Sequence, residues 1–113
     1  MNLLDLIDYS VFEKLDFRVG TIINAEEFQE AKKPAYKLKI DFGPLGVLNS
    51  SAQITKNYQI KDLKEKQIIA LVNVGKRKIA NFESQCLVLG ANHNDEVILL
   101  TPEKKIPNGQ QVL

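Results

Sequence analysis

The sequence has few of the residues that carry enzyme chemistry. Its 113 residues include one cysteine, one histidine, one methionine and no tryptophan. A single cysteine excludes an internal disulfide bond, and a single histidine leaves no Cys/His cluster for zinc. His93 lies in a polar turn with no carboxylate or thiol at ligand spacing, so we expect neither metal binding nor catalysis from it.

Motifs of catalysis and of cofactor binding are also missing. The chain contains no G-x-S-x-G nucleophile motif, no Walker loop and no dinucleotide-binding fingerprint. Two pairs of adjacent carboxylates, Glu26 with Glu27 and Asp95 with Glu96, occur in charged stretches, where such pairs usually only interact with water. We therefore expect a protein without catalytic residues, metal or cofactor.

Long apolar runs are absent as well. No run approaches the roughly 20 residues that a membrane-spanning helix needs, and the N-terminal residues lack the basic region and the cleavage site of a signal peptide. We expect a cytoplasmic protein with no membrane insertion. Cys86 lies in the short apolar run 86–89, which predicts a buried side chain that behaves as a small hydrophobe and not as a nucleophile.

Positive charge is concentrated in the middle of a nearly neutral chain. The net charge is +1, but residues 31–78 contain eleven basic and three acidic side chains, whereas residues 1–30 contain two and seven. This asymmetry can place a positive face on the protein that attracts phosphate. Lysines scattered over a hydrated surface are the alternative, and the charge pattern leaves both interpretations open.

Period-two patterns predict an all-β domain. The clearest strand covers residues 36–42, in which apolar and polar side chains alternate without a break. Gly20, inside the first predicted strand, indicates a bulge or sharp bend. We predict loops over residues 26–34 and over the basic residues 75–80. Residues 51–66 are predicted to form a connection with one or two short helical turns. We predict strands over 17–23, 36–42, 47–50, 67–74, 86–90, 96–101 and a short final strand over 110–113, which indicates a barrel or sandwich.

The N-terminal residues show a helical pattern instead. Leu3, Leu4 and Ile7 recur at helical spacing, which predicts a short amphipathic helix over residues 2–8. Ser10 followed by Glu13 has the form of a capping box and predicts a further turn over 11–15. A helix this short is not stable alone, so we expect it to pack on something, such as a second subunit.

The segment from residue 73 to 84 is the strongest candidate for binding. Arg77 can hold a phosphate with two parallel hydrogen bonds, and Lys76 and Lys78 offer point charges beside it. Asn73 and Ser84 carry donors and acceptors that can meet a base edge or a 2′-hydroxyl. A polar loop whose charges only keep it hydrated is the alternative, and the residues alone do not decide between the two.

The same segment resembles the signature of the tRNA-binding domain family, approximately N-L-x-P-R-K-M-x-G-x-x-S-x-G-M. Asn73, Arg77, Lys78 and Ser84 match that pattern, and residues 16–20 (DFRVG) match the first strand of the family. The resemblance covers about residues 14–113. It implies a five-stranded Greek-key oligonucleotide/oligosaccharide-binding (OB) barrel that binds tRNA or another structured RNA. Such modules are appended to methionyl- and phenylalanyl-tRNA synthetases.

Within that family the sequence resembles the CsaA proteins. The matching stretches are residues 12–16 (FEKLD), 25–28 (AEEF), 50–56 (SSAQITK) and 107–109 (PNG). This resemblance implies a single domain that forms a homodimer through its extensions 1–12 and 106–113, and a chaperone linked to protein export. Its partners would be unfolded or pre-secretory polypeptides, for which Tyr58, Ile79 and Phe82 are the candidate contacts. A free-standing tRNA-binding or structured-RNA-binding protein is the alternative function.

Overall fold

A long, bent first strand organises the sheet. The computed structural model describes residues 2–113. The strands are β1 (Phe17–Glu27), β2 (Tyr36–Asp41), β3 (Val47–Ala52), β4 (Gln67–Leu71), β5 (Arg77–Ile79), β6 (Phe82–Ser84), β7 (Leu87–Val88), β8 (Gly90–His93), β9 (Glu96–Leu99) and β10 (Gln111–Val112). The helices are α1 (Tyr9–Glu13) and α2 (Ile60–Leu63), and Gly43–Leu45 forms a 3-10 turn. The main sheet has the order β3-β2-β1-β4-β7, and β10 pairs with β1.

β1 changes partner along its length, as a barrel strand does at a corner. Its first half pairs with β4 and its second half with β2, and Thr21 lies opposite Gln67 on one side and Asp41 on the other. The register shift lies between Ile22 and Asn24, so the prediction of a bulge at Gly20 was wrong by a few residues. Gly20 is needed for packing instead, because an added Cβ would lie 2.7 Å from the buried side chains of Ile40 and Phe42.

The sheet curls until its two edges nearly meet. The backbone N–H of Gln85 donates to the carbonyl of Asn49 over 2.8 Å, and the N–H of Asn49 donates to Oε1 of Gln85 over 2.8 Å. Two residues further along β3, the N–H of Ser51 donates to Oγ of Ser84 over 3.3 Å. These bonds join β3 to the segment before β7, and the predicted all-β OB barrel is confirmed.

The core is filled by the inward face of the barrel strands. In β2 the alternation predicted from the sequence is confirmed: Leu38, Ile40 and the following Phe42 are fully buried, whereas Lys37 and Lys39 lie on the outer face. The other fully buried apolar side chains are Val19, Ile22, Leu63, Ile68 and Ala70. The two shorter hairpins, β5–β6 and β8–β9, extend from this barrel.

The N-terminal helix does not form where it was predicted. Residues 2–8 are not helical, and α1 begins only at Tyr9, with Asp8 at its N-cap. Ser10 therefore lies inside the helix and caps nothing, so the predicted capping box was also wrong. Leu3, Leu4 and Leu6 are each more than 90% exposed, so their side chains gain almost no burial on the barrel that would offset the cost of forming a helix.

Two hairpins lie outside the main sheet, and the sequence pattern predicted their strands only in part. β5 pairs with β6 around the turn residues Ala80 and Asn81, so the prediction of a loop over 75–80 was wrong for Arg77–Ile79. The strand predicted over 86–90 is divided between β7 and β8, and β8 pairs with β9 around a turn at Asn94 and Asp95. The short final strand was predicted correctly, as β10.

Candidate binding groove beside the β5–β6 hairpin

The β5–β6 hairpin sorts its side chains onto two faces. Arg77 lies opposite Ser84 and Ile79 opposite Phe82, whereas Lys78 lies opposite Glu83. Directly opposed residues of an antiparallel pair share a face, and the next pair along shares the other. Arg77 and Ile79 therefore project to one side of the hairpin and Lys78 to the other.

The face that carries Arg77 and Ile79 borders a groove. We call this groove the hairpin groove, and it consists of two adjacent hollows of about 430 and 250 Å³. The first lies between β5 and the loop 28–35, and the second continues towards β7 and β9. Both hollows are lined by Ser51, Gln53, Arg77 and Ile79.

The floor of the second hollow is mainly apolar. Its apolar lining residues are Ala52, Ile54, Ile79, Leu87, Val88, Val97 and Leu99. Leu87 is 44% exposed, so much of its side chain is available to a ligand. Arg77 is the single charged side chain among the residues that line this hollow. The groove thus combines an apolar floor with one guanidinium that can make two parallel hydrogen bonds.

Basic side chains surround the groove. Lys32 and Lys33 of the loop 28–35 line the first hollow, together with Glu30. A neighbouring hollow of about 740 Å³ shares Lys33 and Gln53 with it and adds Lys56. Together the hollows form a track in which the basic side chains Lys32, Lys33, Lys56 and Arg77 outnumber the acidic ones, Glu30 and Asp95.

The basic residues predicted for binding are not equivalent. Arg77 lines the groove, whereas Lys76 is exposed and its Nζ lies 3.5 Å from Oε1 of Glu83, in an exposed ion pair. An exposed pair of this kind contributes little to stability. Lys78 is exposed on the opposite face of the hairpin. The structure therefore separates Lys76 and Lys78 from the groove that Arg77 lines.

Asn73 and Ser84 make contacts within the protein. Nδ2 of Asn73 donates to the carbonyl of Lys14 over 2.7 Å, and its Oδ1 accepts from the N–H of Asp16 over 3.0 Å. Oγ of Ser84, which is buried, accepts from the N–H of Ser51 and donates to the carbonyl of Cys86 over 3.4 Å. Both side chains fix backbone segments in place, a role that the sequence reasoning missed.

The predicted apolar contacts also differ in their surroundings. Ile79 is half-buried in the wall of the groove. Phe82 is half-buried too, but its ring packs edge-on against Phe28, with 5.3 Å between the ring centroids. The hydroxyl of Tyr58 accepts from the N–H of Leu99 over 3.0 Å, and the ring packs on the barrel core. Of the three, Ile79 is the one that lines the groove.

Neither Cys86 nor His93 lines the hairpin groove. Burial raises the pKa of the Cys86 thiol to about 11, against a smaller lowering by its hydrogen bond with Ser50. The thiol is therefore protonated near neutral pH, as expected of a structural cysteine. His93 is exposed at the tip of the β8–β9 hairpin, beside Asn94.

Residues 2–113 contain no cluster of three or more metal-ligating side chains, and no helix in that range could cross a membrane.

Several groove residues were not singled out from the sequence. Lys32 and Lys33 were assigned to a charged loop, and Gln53 and Lys56 appeared only as part of a matching stretch. The signal that could have found them is the excess of basic residues between positions 31 and 78. That excess does not say which lysines meet, because the groove is assembled from segments distant in sequence.

The fold and groove define a small OB barrel with an open, partly apolar track beside one hairpin. The family model described as "Putative tRNA binding domain" matches residues 17–111, and the chain belongs to that family. A curated relative, the methionine–tRNA ligase of Methanococcoides burtonii, is 37% identical over 106 residues, which are 93% of this chain and 15% of that protein. The chain thus spans about 15% of the length of that relative.

Two solved structures match nearly the whole chain. The chaperone CsaA of Bacillus anthracis is 45% identical, with a TM-score of 0.93, and the match covers 96% of this chain and 100% of that one. The CsaA chaperone protein of Picrophilus torridus is 50% identical, with a TM-score of 0.90 and the same coverage. Both the family and the fold expected from the sequence are therefore confirmed.

Proposed function

We propose that this protein is a non-catalytic, CsaA-like chaperone that holds non-native polypeptides in the hairpin groove. The observation that carries the proposal is the apolar floor of the groove, with Leu87 and Ile79 beside a single guanidinium from Arg77. An open apolar surface of this kind tolerates many side chains, because the hydrophobic effect is non-directional. Similarity to two proteins described as CsaA chaperones supports the same interpretation.

Binding would follow from burial of apolar side chains on the groove floor. Each large apolar side chain that a client buries contributes about 1.5–3 kcal/mol. Ser51, near the end of β3, and Gln53, just after that strand, offer polar groups to the backbone of an extended client. Because the sequence has no nucleotide-binding motif, we expect release to be governed by affinity alone, without ATP.

The proposal includes a homodimer in the cytoplasm with a role in protein export. Leu3, Leu4 and Leu6 are each more than 90% exposed, and the C-terminal Leu113 is 94% exposed. A domain of this size leaves much of its apolar surface uncovered, and association is a common remedy. The extensions 1–12 and 106–113 are the proposed interface, and pre-secretory polypeptides are the proposed clients.

Aggregation of a denatured protein tests the chaperone directly. Chemically denatured citrate synthase is diluted into buffer without ATP, and light scattering is followed with and without a severalfold molar excess of this protein. We expect clear suppression of scattering, because the groove covers apolar segments before they associate. No suppression at any excess would remove the chaperone proposal.

Binding of tRNA or another structured RNA is the second candidate function. It is favoured by the basic side chains Lys32, Lys33, Lys56 and Arg77 along the track. Lys76, Lys78, Asn73 and Ser84 remain proposed contacts from the resemblance to the family; of these only Ser84 is buried. This candidate predicts affinity that is mainly electrostatic.

Salt dependence distinguishes a defined RNA site from a general positive field. Affinity for unfractionated tRNA should fall with salt by a log–log slope of roughly −0.7 to −0.9 per phosphate contacted. Arg77→Ala should weaken binding by about 1–3 kcal/mol and flatten the slope by about one unit. Lys39→Ala, an exposed lysine on β2, is the matched control. Equal losses in both variants would mean that Arg77 marks no defined site.

A further inference from the structure

An apolar cluster lies outside the barrel, between the β5–β6 hairpin and the loop 28–35. Phe28 is only 3% exposed, yet it does not belong to the contiguous core of the barrel. Its ring meets that of Phe82 edge-on, with an interplanar angle of 65°, an arrangement that aromatic pairs favour. Burial of Phe28 therefore depends in part on the hairpin, and this contact attaches the hairpin to the loop.

A lysine from the outer face of β2 completes the cluster. Nζ of Lys37 lies 5.6 Å from the ring centroid of Phe28 and 5.9 Å from that of Phe82. It also lies 3.5 Å from Oε1 of Glu26, its neighbour across the sheet. Lys39, two residues along the same face, is exposed, and in the described part of the chain it makes neither an ion pair nor a ring contact.

The hairpin has separate attachments at its two ends. Near its base, Ser84 bonds to the backbone of β3. Near its tip, Phe82 follows the turn and is held by the aromatic contact and by the ammonium of Lys37. Arg77 and Ile79 lie on the strand paired with this one, so movement of the tip would change the width of the hairpin groove.

We propose that Lys37 is a positioning residue, which holds the tip of the β5–β6 hairpin against the loop 28–35 and thereby keeps the hairpin groove in its binding shape. The attraction of one ammonium to two ring faces supplies the contact, and the aliphatic part of the side chain covers apolar surface. The consequence for ligands rests on the proposed function, whereas the attachment of the hairpin does not.

Amide hydrogen exchange measures the attachment without any ligand. We compare wild type with Lys37→Met, which keeps the aliphatic chain, with Lys37→Arg, which keeps the charge, and with Lys39→Met. Exchange in residues 77–84 should accelerate about fivefold in Lys37→Met, as loss of the ammonium that contacts both rings predicts. Lys37→Arg and Lys39→Met should match wild type, and residues 38–42 should be unchanged in all variants. Unchanged exchange in Lys37→Met would overturn the proposal.

Affinity for a permanently unfolded probe, reduced and carboxymethylated α-lactalbumin, measures the effect on the groove. Lys37→Met and Lys39→Met each remove one positive charge from the same strand, so general electrostatics weakens both alike. We expect Lys37→Met to lose about fivefold more affinity than Lys39→Met, with Lys37→Arg close to wild type. Equal affinities in the two methionine variants would overturn the positioning role. Faster exchange together with no binding by wild type would instead support the attachment and reject the proposed function.

Discussion

At the scale of single residues, the same side chain has different roles at neighbouring positions. Lys37 and Lys39 alternate with the core residues of β2 in the same way, and the pattern predicts two hydrated lysines. Only Lys37 meets the rings of Phe28 and Phe82. The pattern could not reveal this, because the two rings come from a loop and a hairpin that are distant in sequence.

For polar residues, too, the sequence pattern could not show which side chains are engaged by tertiary contacts. Asn73 and Ser84 were predicted as RNA contacts from their hydrogen-bonding capacity, and the structure engages both with the backbone of their own chain. Which donors remain available is decided by tertiary contacts and not by residue type. The burial of Cys86, by contrast, could be predicted from its apolar neighbours and is confirmed.

Gly20 supplies a residue-scale prediction. Gly20→Ala should lower the free energy of unfolding by about 1–3 kcal/mol, because its Cβ would overlap the fully buried side chains of Ile40 and Phe42. Gly75→Ala is the matched control, since no atom beyond its two chain neighbours lies within 4 Å of the Cβ it would add. Urea unfolding at equilibrium measures both. Equal midpoints for the two variants would contradict the packing described for β1.

At the scale of elements, the sequence predicted strands well where polar and apolar residues alternate strongly. It predicted poorly the short strands that lack this alternation. β2 was predicted almost to the residue. β5 was predicted as a loop because residues 75–80 are basic. The turn that joins it to β6 contains no glycine. Ala80 adopts a φ of 54° there, a conformation for which sequence reasoning normally expects glycine, asparagine or aspartate.

The N-terminal segment was predicted as a helix on spacing alone. Spacing shows which face of a helix would be apolar, but a helix of seven residues forms only when that face is covered. In the chain described here Leu3, Leu4 and Leu6 remain exposed. Their coverage by a second copy is part of the proposed dimer.

Deletion of residues 1–7 tests this element while leaving α1 intact. Sedimentation equilibrium of the full chain should give about twice 12.7 kDa, and the deletion should shift the protein towards monomer because it removes four exposed apolar side chains. An internal comparison is Leu45→Ser, which alters an apolar side chain that is 49% exposed and lies away from the segment. A truncated protein that stayed fully dimeric would show that the segment is not required.

At the scale of the whole molecule, the fold was predictable and the groove was not. The alternating strands with frequent turns predicted a barrel or sandwich, and the matched motif indicated an OB barrel. The hairpin groove is lined by residues from the loop 28–35, the end of β3, the β5–β6 hairpin, β7 and β9. Its shape depends on how these segments meet around the barrel, and no local pattern encodes that arrangement.

The most direct test of the groove is the affinity of wild type and two aspartate variants for reduced and carboxymethylated α-lactalbumin. Leu87 lines the groove and is 44% exposed, whereas Ile98 is 48% exposed and lies outside the residues that line it. Fluorescence anisotropy gives each Kd, and thermal melts check that both variants fold. We predict a loss of about tenfold or more for Leu87→Asp, because one large apolar contact is replaced by a charge, and a change of less than about twofold for Ile98→Asp. Equal losses in the two variants, or none in Leu87→Asp, would contradict the assignment of the groove as the binding site.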